Sequence, residues 1–356
     1  MGLWLGRETD EGYQTPTIHR LLTPTVSGNV LNGVGETEDR PATPVYHRLD
    51  RWGPWSWVNI TFILKQLWDV GPGGQFWYTL RDFLNKFREP RRSQVIAERA
   101  IDQSAAVWTE QLRERIRSRG LADDVGIARL HRGMYFDGEV PDDAAMPRTI
   151  IVLLRRMNYD NMSATLEKQA WWRTPFWRRK WVRSNREVMK TYTNVFDAAV
   201  ELAAWIRSQG HAAEGIGGAP GSKINILRSA IEAGMGELGK HGSIIHPVYG
   251  SAVRFAVVLT DLPLMEDDPA DFGADDFCQR CRICETACPP SAISSEKQTV
   301  RGIEKWYVNF DRCVPYFNDT NGCGICITAC PWSRPGVAEK LVLKMARRRS
   351  RRSKKT

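Results

Sequence analysis

Helix-period and strand-like apolar segments alternate between residues 98 and 260, and all eight cysteines of the 356-residue chain fall between positions 278 and 330. These two observations predict an α/β body followed by a ferredoxin-like domain holding two [4Fe–4S] clusters. The cysteine spacing sharpens the second part. The runs are Cys278-x2-Cys281-x2-Cys284-x3-Cys288-Pro289 and Cys313-x9-Cys323-x2-Cys326-x3-Cys330-Pro331. In two-cluster ferredoxins the last cysteine of each run serves the other cluster, so the expected ligand sets are Cys278, Cys281, Cys284, Cys330 and Cys288, Cys313, Cys323, Cys326. Four disulfides would require an oxidising compartment, and the chain opens without a charged n-region and apolar h-region. Two zinc sites, each with four thiolate ligands, are the alternative, but this spacing with a terminal Cys-Pro is more typical of a cubane.

Each element has its own signal. Residues 1–49, rich in Thr, Gly and Pro, read as an extended arm, and residues 50–95 are unusually aromatic. Within the latter, Trp55 to Trp68 is too short for the ~20 residues of a membrane span and contains Asn59 and Lys65. It is a candidate for docking on a partner subunit, capping the core or lying on a membrane surface. An α/β domain is expected over 96–268. Glu98 to Arg119 carries an apolar stripe (Ile101, Ala105, Trp108, Leu112, Ile116) that Gly120 ends, and Thr149 to Leu154 (TIIVLL) reads as a buried strand. Residues 169–183 interleave tryptophans with arginines, as a pocket wall or cover would. Asn185 to Ser208 is a long helix ended by Gly210, and Ile226 to Ala233 a shorter one with Asn225 as N-cap. Ser243 to His246 and Ala252 to Thr260 are strands about a Pro247–Gly250 turn. The cluster domain is expected over 269–336, and residues 337–356 form a short helix with a basic tail disordered beyond Ala346.

The net charge of +9 lies almost wholly in that tail. From Lys344 the chain holds eight cations and no acid, and the remainder sums to about +1. The tail is a candidate contact for an acidic partner or lipid surface, while no winged or zinc-finger pattern supports recognition of nucleic acid. The stretch Gly234-Met-Gly-Glu-Leu-Gly-Lys-His-Gly242 lacks the GK[ST] of a phosphate loop and follows a helix instead of a strand, which excludes a Rossmann reading. Its glycines, Gly234, Gly236 and Gly239, are read as letting backbone approach a large flat ligand or a cluster.

Several of these features occur in one order: TIIVLL with MNYD, the long helix, SAIEAGMGELGKHGSIIHPVYG, VRFAVVLTDLPL, and then the two cysteine runs. Over about residues 145–336 this order resembles the corrinoid-dependent reductive dehalogenases and, more distantly, epoxyqueuosine reductase. The resemblance implies a nitroreductase-like α/β core that binds cobalamin beside the nearer cluster. It implies electrons from an external ferredoxin, flavodoxin or reductase, and the Cys278/Cys281/Cys284/Cys330 cluster is expected to be the proximal one. A tyrosine near a basic residue delivers the proton in such a scheme. Tyr159 of MNYD is the first candidate and Tyr192 the second, with Lys240, Arg155 or Arg156 to hold the developing anion. His241 and His246 are candidate corrinoid contacts.

The family's Ser-Gly-Asn-Asp-like loop is replaced here by EGIGGAPGSKINIL, and a D-x-H-x-x-G lower-ligand motif is absent. The expected function is therefore a corrinoid- and iron–sulfur-dependent reductase of a small organic, possibly halogenated, substrate. The alternative is a corrinoid-free electron-transfer or assembly subunit, and a flavin-dependent reductase is a further option. The chain opens without a twin-arginine signal, giving the expectation of a cytoplasmic or membrane-associated protein.

Overall fold

A computed structural model describes residues 7–9, 12–14, 24–45, 55, 58–60, 62, 64, 96–97, 101–167, 180–218 and 222–353. Most of the aromatic segment 50–95, most of the insert at 169–183 and the last three residues lie outside the described residues.

The N-terminal region opens on a small hairpin of β1 (Arg7–Thr9) and β2 (Gly12–Gln14). A one-turn helix α1 (Gly28–Leu31) follows, capped by the Ser27 hydroxyl. Helix α2 (Ala105–Arg119) starts later than its periodicity suggests, because Ser104 accepts from the Val107 N–H and fixes the N-cap. Trp108, Leu112 and Ile116 are buried as expected, whereas Ile101 precedes the helix and is exposed. Strands β3 (Asp124–Arg129) and β4 (Thr149–Arg156) lead to a short helix α3 (Tyr159–Ser163). The long helix α4 spans Lys180–Ser208, then come β5 (Ala213–Gly217) and α5 (Ile226–Glu232), with Asn225 capping α5 through the Arg228 N–H. The glycine stretch makes a small hairpin of β6 (Glu237–Leu238) and β7 (Ile244–Ile245), and β8 (Val253–Thr260) closes the body.

The central sheet runs β3-β4-β8-β5, with every pairing antiparallel. Its continuous apolar strands follow from cover on both faces. On one face Ile151, Leu153 and Val258 pack with Leu202 and Ile206 of α4 and Trp108 and Leu112 of α2. On the other, Ile150, Val152 and Val257 pack with Ala230 of α5, Met134 and Ile244.

The cysteine domain contains α6 (Ala274–Cys278), α7 (Ile283–Thr286), the hairpin β9 (Gln298–Val300) and β10 (Ile303–Lys305), α8 (Phe310–Asp319) and α9 (Ile325–Ala329). The final helix α10 (Ala338–Ser353) corrects the expectation of disorder beyond Ala346. Met345 is buried, and the Arg349 guanidinium sits 2.8 Å from Asp276 and 2.6 Å from Asp271, so the basic end docks on the start of α6. Among the described residues no helix is long and apolar enough to cross a membrane.

The described part of the arm is a strap. Asp311 of α8 accepts from the Ser27 hydroxyl, the Gly28 N–H (2.7 Å) and the Asn29 amide (2.9 Å). Gly35 N–H donates to Thr299 in β9, and Asp137 N–H donates to Ala42, so one segment ties the cysteine domain to the α/β body. Trp55 is buried edge-on against Phe310 at 4.9 Å and donates to the Val26 carbonyl. This places the start of the aromatic segment on α8, as a cap on the core. Replacing Asp311 by Ala removes three hydrogen bonds to the strap. We expect a loss of about 1–3 kcal/mol in chemical denaturation and faster protease cleavage within 24–45; an unchanged cleavage rate would contradict the strap.

Candidate functional site

The eight cysteines are free thiols drawn into the interior, and they sort by which of them repel one another. Burial pushes the Cys278 pKa up to about 12, with Cys284 and Cys281 adding to it; burial likewise raises Cys330, against the charges of Cys278, Cys284 and Cys281. In the second group burial lifts Cys313 to about 12, helped by Cys323 and Cys288, and raises Cys326 beside Cys323, Cys313 and Cys288. The quartets are therefore Cys278, Cys281, Cys284, Cys330 and Cys288, Cys313, Cys323, Cys326, with the terminal cysteines exchanged as the spacing predicts. Cys284 also acts on Cys326, so the quartets are neighbours. Four thiolates in each group suit a [4Fe–4S] site, where bound iron compensates their charge.

One cleft of about 500 Å3 adjoins the second quartet. Cys313, Val314 and Phe317 of α8 and Ile327 of α9 form one wall. Tyr192 of α4, Arg254 and Phe255 of β8, Gly218, Ser222 and residues 224–227 also line the cleft. Thr43 to Val45 of the strap cover it. Residues 219–221 of the same loop lie outside the described residues. The lining is mainly apolar, but Arg254 lies over the Tyr192 ring with its guanidinium carbon 5.1 Å from the centroid. Arg254 Nη1 donates to the Val253 carbonyl, while its buried Nε has no hydrogen-bond partner. A mainly apolar cleft whose lining includes a cluster-motif cysteine, a tyrosine and an arginine is suited to a reducible cofactor. The cleft borders Cys313, so the Cys288/Cys313/Cys323/Cys326 quartet is the one nearer to this cleft and the Cys278 quartet is distal to it.

The structure separates the two tyrosines. The Tyr159 hydroxyl donates to the Thr328 carbonyl of α9 at 3.0 Å, beside a different, more polar cleft of about 630 Å3 with Arg156, Glu187, Tyr249 and Glu339 in its walls. Tyr159 thus ties α3 to the helix between Cys326 and Cys330, and of the two tyrosines Tyr192 is the one that lines the cleft beside Cys313. Arg155 donates to the Gly120 carbonyl and Arg156 faces Asp123, so neither reaches the apolar cleft.

The glycine stretch also proves to be an interdomain seam. A Cβ on Gly236 would lie 2.2 Å from the Ile245 carbonyl oxygen, and one on Gly234 2.5 Å from that of Asp268. A Cβ on Gly239 would meet the His241 ring at 2.7 Å. These glycines admit the protein's own chain and do not line the cleft. Lys240 is buried 3.8 Å from Glu285 and 4.8 Å from the Trp306 ring centroid. Its charge eases ionisation of Cys284, which places Lys240 by the distal quartet. His241 pairs with Ser251 at 3.0 Å, and burial holds it neutral, its pKa down to about 4. His246 meets Asp124 at 2.9 Å and stacks on Tyr249. Neither histidine is available to a cofactor in the cleft.

Sequence reasoning missed Arg254, although a signal existed: it is the lone charge in the apolar run Val253 to Thr260. It also missed Glu237. That carboxylate accepts from the Phe272, Gly273, Ala274 and Asp275 N–H groups at 2.7–3.0 Å, and so fixes the start of α6.

The exchanged quartets give a direct test. Cys330→Ser and Cys278→Ser should perturb the same cluster signal in electron paramagnetic resonance, and Cys323→Ser the other. If Cys330→Ser instead matches Cys323→Ser, the quartets are not exchanged.

Residues 277–333 match the model of the 4Fe-4S dicluster domain. Tetrachloroethene reductive dehalogenase of Desulfitobacterium hafniense is 33% identical over 166 residues, 43% of this chain and 30% of that protein. Trichloroethene reductive dehalogenase of Dehalococcoides mccartyi is 36% identical over 122 residues, 32% of this chain and 20% of its own length. Epoxyqueuosine reductase of a Synechococcus species is 34% identical over 128 residues, 31% of this chain and 36% of that protein. Among solved structures, the catabolic reductive dehalogenase NpRdhA in complex with 3-bromo-4-hydroxybenzoic acid superposes with a TM-score of 0.66 at 23% identity, covering 88% of this chain and 45% of that one. The chain spans less than half the length of each of these relatives. The chain is thus similar in sequence, over about two fifths of its length, to reductive dehalogenases, shares the fold of one of them, and matches a 4Fe-4S dicluster domain near its C-terminus.

Proposed function

We propose that the protein is a corrinoid- and iron–sulfur-dependent reductase that cleaves a small organic substrate, with carbon–halogen bonds the leading class. The observation that carries this reading is that Cys313, Tyr192 and Arg254 line one mainly apolar cleft. Reductive dehalogenation consumes two electrons and one proton, R–X giving R–H and X⁻. A corrinoid bound in the cleft would supply the low-potential cobalt chemistry suited to that cleavage. The protein's own part is threefold. Phe136, Phe255, Phe310 and Phe317 exclude water and keep the local dielectric low. The Tyr192 hydroxyl delivers the proton, and the Arg254 guanidinium over its ring favours the tyrosinate left behind. Gly218, Ser222 and residues 224–227 would border the cofactor with small or neutral side chains, so the loop that departs from the family pattern still contributes to the cleft. An external one-electron donor and a cytoplasmic setting belong to the same reading.

Anaerobic reconstitution with cobalamin should give one cobalt and about eight irons per chain. Tyr192→Phe should retain both metals and lower turnover of a halogenated phenol or alkene at least about 100-fold, the range for a lost general acid. Irons without cobalt in a folded protein would sink the corrinoid reading, and unchanged turnover would remove Tyr192.

A further inference from the structure

Two partly buried cations near the rim of the apolar cleft have no carboxylate within ion-pair distance among the described residues: Arg301 and Lys305, on and beside the hairpin of β9 and β10. The Arg301 guanidinium donates to the Asn32 carbonyl. The neighbouring cations are already engaged. Arg40 is held by Glu36 at 2.7 Å, and Arg228 by Glu232 at 2.9 Å with Asp39 at 3.7 Å. Glu36 acts on Arg301 and Asp39 on Lys305 only from beyond ion-pair distance. Burial lowers the Lys305 ammonium pKa to about 8, with Arg301 and Arg228 adding to the effect and Asp39 opposing it.

The cluster adjoins the cleft through three lining residues. Arg301 bonds to Asn32, Arg40 donates to the Thr43 hydroxyl at 2.8 Å, and Arg228 follows Leu227 in α5. Partly desolvated cations with no acid in contact among the described residues gain when an anion joins them. A hard anion with several acceptor oxygens is the group that best matches an arginine beside a lysine.

We propose that Arg301 and Lys305 receive a phosphodiester, that of the nucleotide arm of the corrinoid whose ring occupies the cleft. The proposal rests on the corrinoid reading above. An apolar cleft accepts a macrocycle but cannot solvate a phosphate, so the anionic arm must leave it where donors stand. Arg301 and Lys305 are positioned for this and take no part in the chemistry.

The test uses the full chain with both clusters in place, titrated anaerobically by absorbance with cobalamin and with cobinamide, which lacks the nucleotide arm. Wild-type protein should bind cobalamin about 10-fold or more tighter than cobinamide, the worth of one charge-assisted hydrogen bond. Lys305→Met should remove most of that preference by weakening cobalamin alone, and Lys305→Arg should restore it. Equal weakening of both corrinoids, or of neither, overturns the proposal while leaving the corrinoid reading intact. Failure of wild-type protein to bind either corrinoid overturns both. Inorganic phosphate supplies the remaining arm: it should compete with cobalamin and not with cobinamide. Phosphate that binds in a Lys305-dependent way without displacing cobalamin would assign the site to a free anion and overturn the assignment to the cofactor.

Discussion

The arrangement depends on one carboxylate. Glu237, on the small hairpin of the α/β body, accepts four successive backbone N–H groups at the start of the helix that carries Cys278. Unpaired donors at a helix start must be satisfied, and here they are satisfied from the other domain. The first quartet is thereby registered against the sheet. Around that contact the hairpin places Lys240 beside the same quartet, and the His241–Ser251 pair leads to Ser333 through the Ser251 N–H. The glycines of the hairpin are small because two backbones meet there.

The second consequence is the dry cleft. Burying two thiolate quartets is unfavourable until metal compensates the charge, and the surrounding aromatic side chains of α8 exclude the water that would otherwise do so. The strap from residues 24–45 completes the enclosure, since Thr43 to Val45 cover the cleft while Asp311 anchors the strap to α8. Cys313 and Tyr192 both line the cleft, one on α8 and the other on a helix that is itself fixed by the sheet. In the proposed reaction the electron and proton supplies are thus positioned by separate rigid elements.

Much of this is legible in the residues. The cysteine runs specify the exchanged quartets because ligand spacing is short-range chemistry. TIIVLL and the long amphipathic helix specify a covered sheet because periodicity reports burial. The glycine stretch misleads for a physical reason: close approach of backbone requires glycine whether the neighbour is a ligand or the protein itself. Which cleft each tyrosine lines is likewise not legible in the residues. A residue just past a strand end can face any of several clefts, and which one depends on how the cysteine domain docks. That docking is set by Glu237 and Asp311, whose roles involve partners tens to hundreds of residues away and leave no local pattern. The basic end reads as a solvated tail by composition, yet Asp271 and Asp276 hold it as helix.

The central claim is that the cleft beside Cys313 is where the two quartets deliver electrons. Anomalous diffraction at the cobalt and iron edges, on crystals of the protein reconstituted with cobalamin, tests it most directly. The account predicts a cobalt peak between Cys313 and Tyr192, nearer to the irons of the Cys288/Cys313/Cys323/Cys326 quartet than to those of the Cys278 quartet. A cobalt peak nearest the Cys278 quartet, or two iron clusters with no cobalt in the cleft, would contradict it.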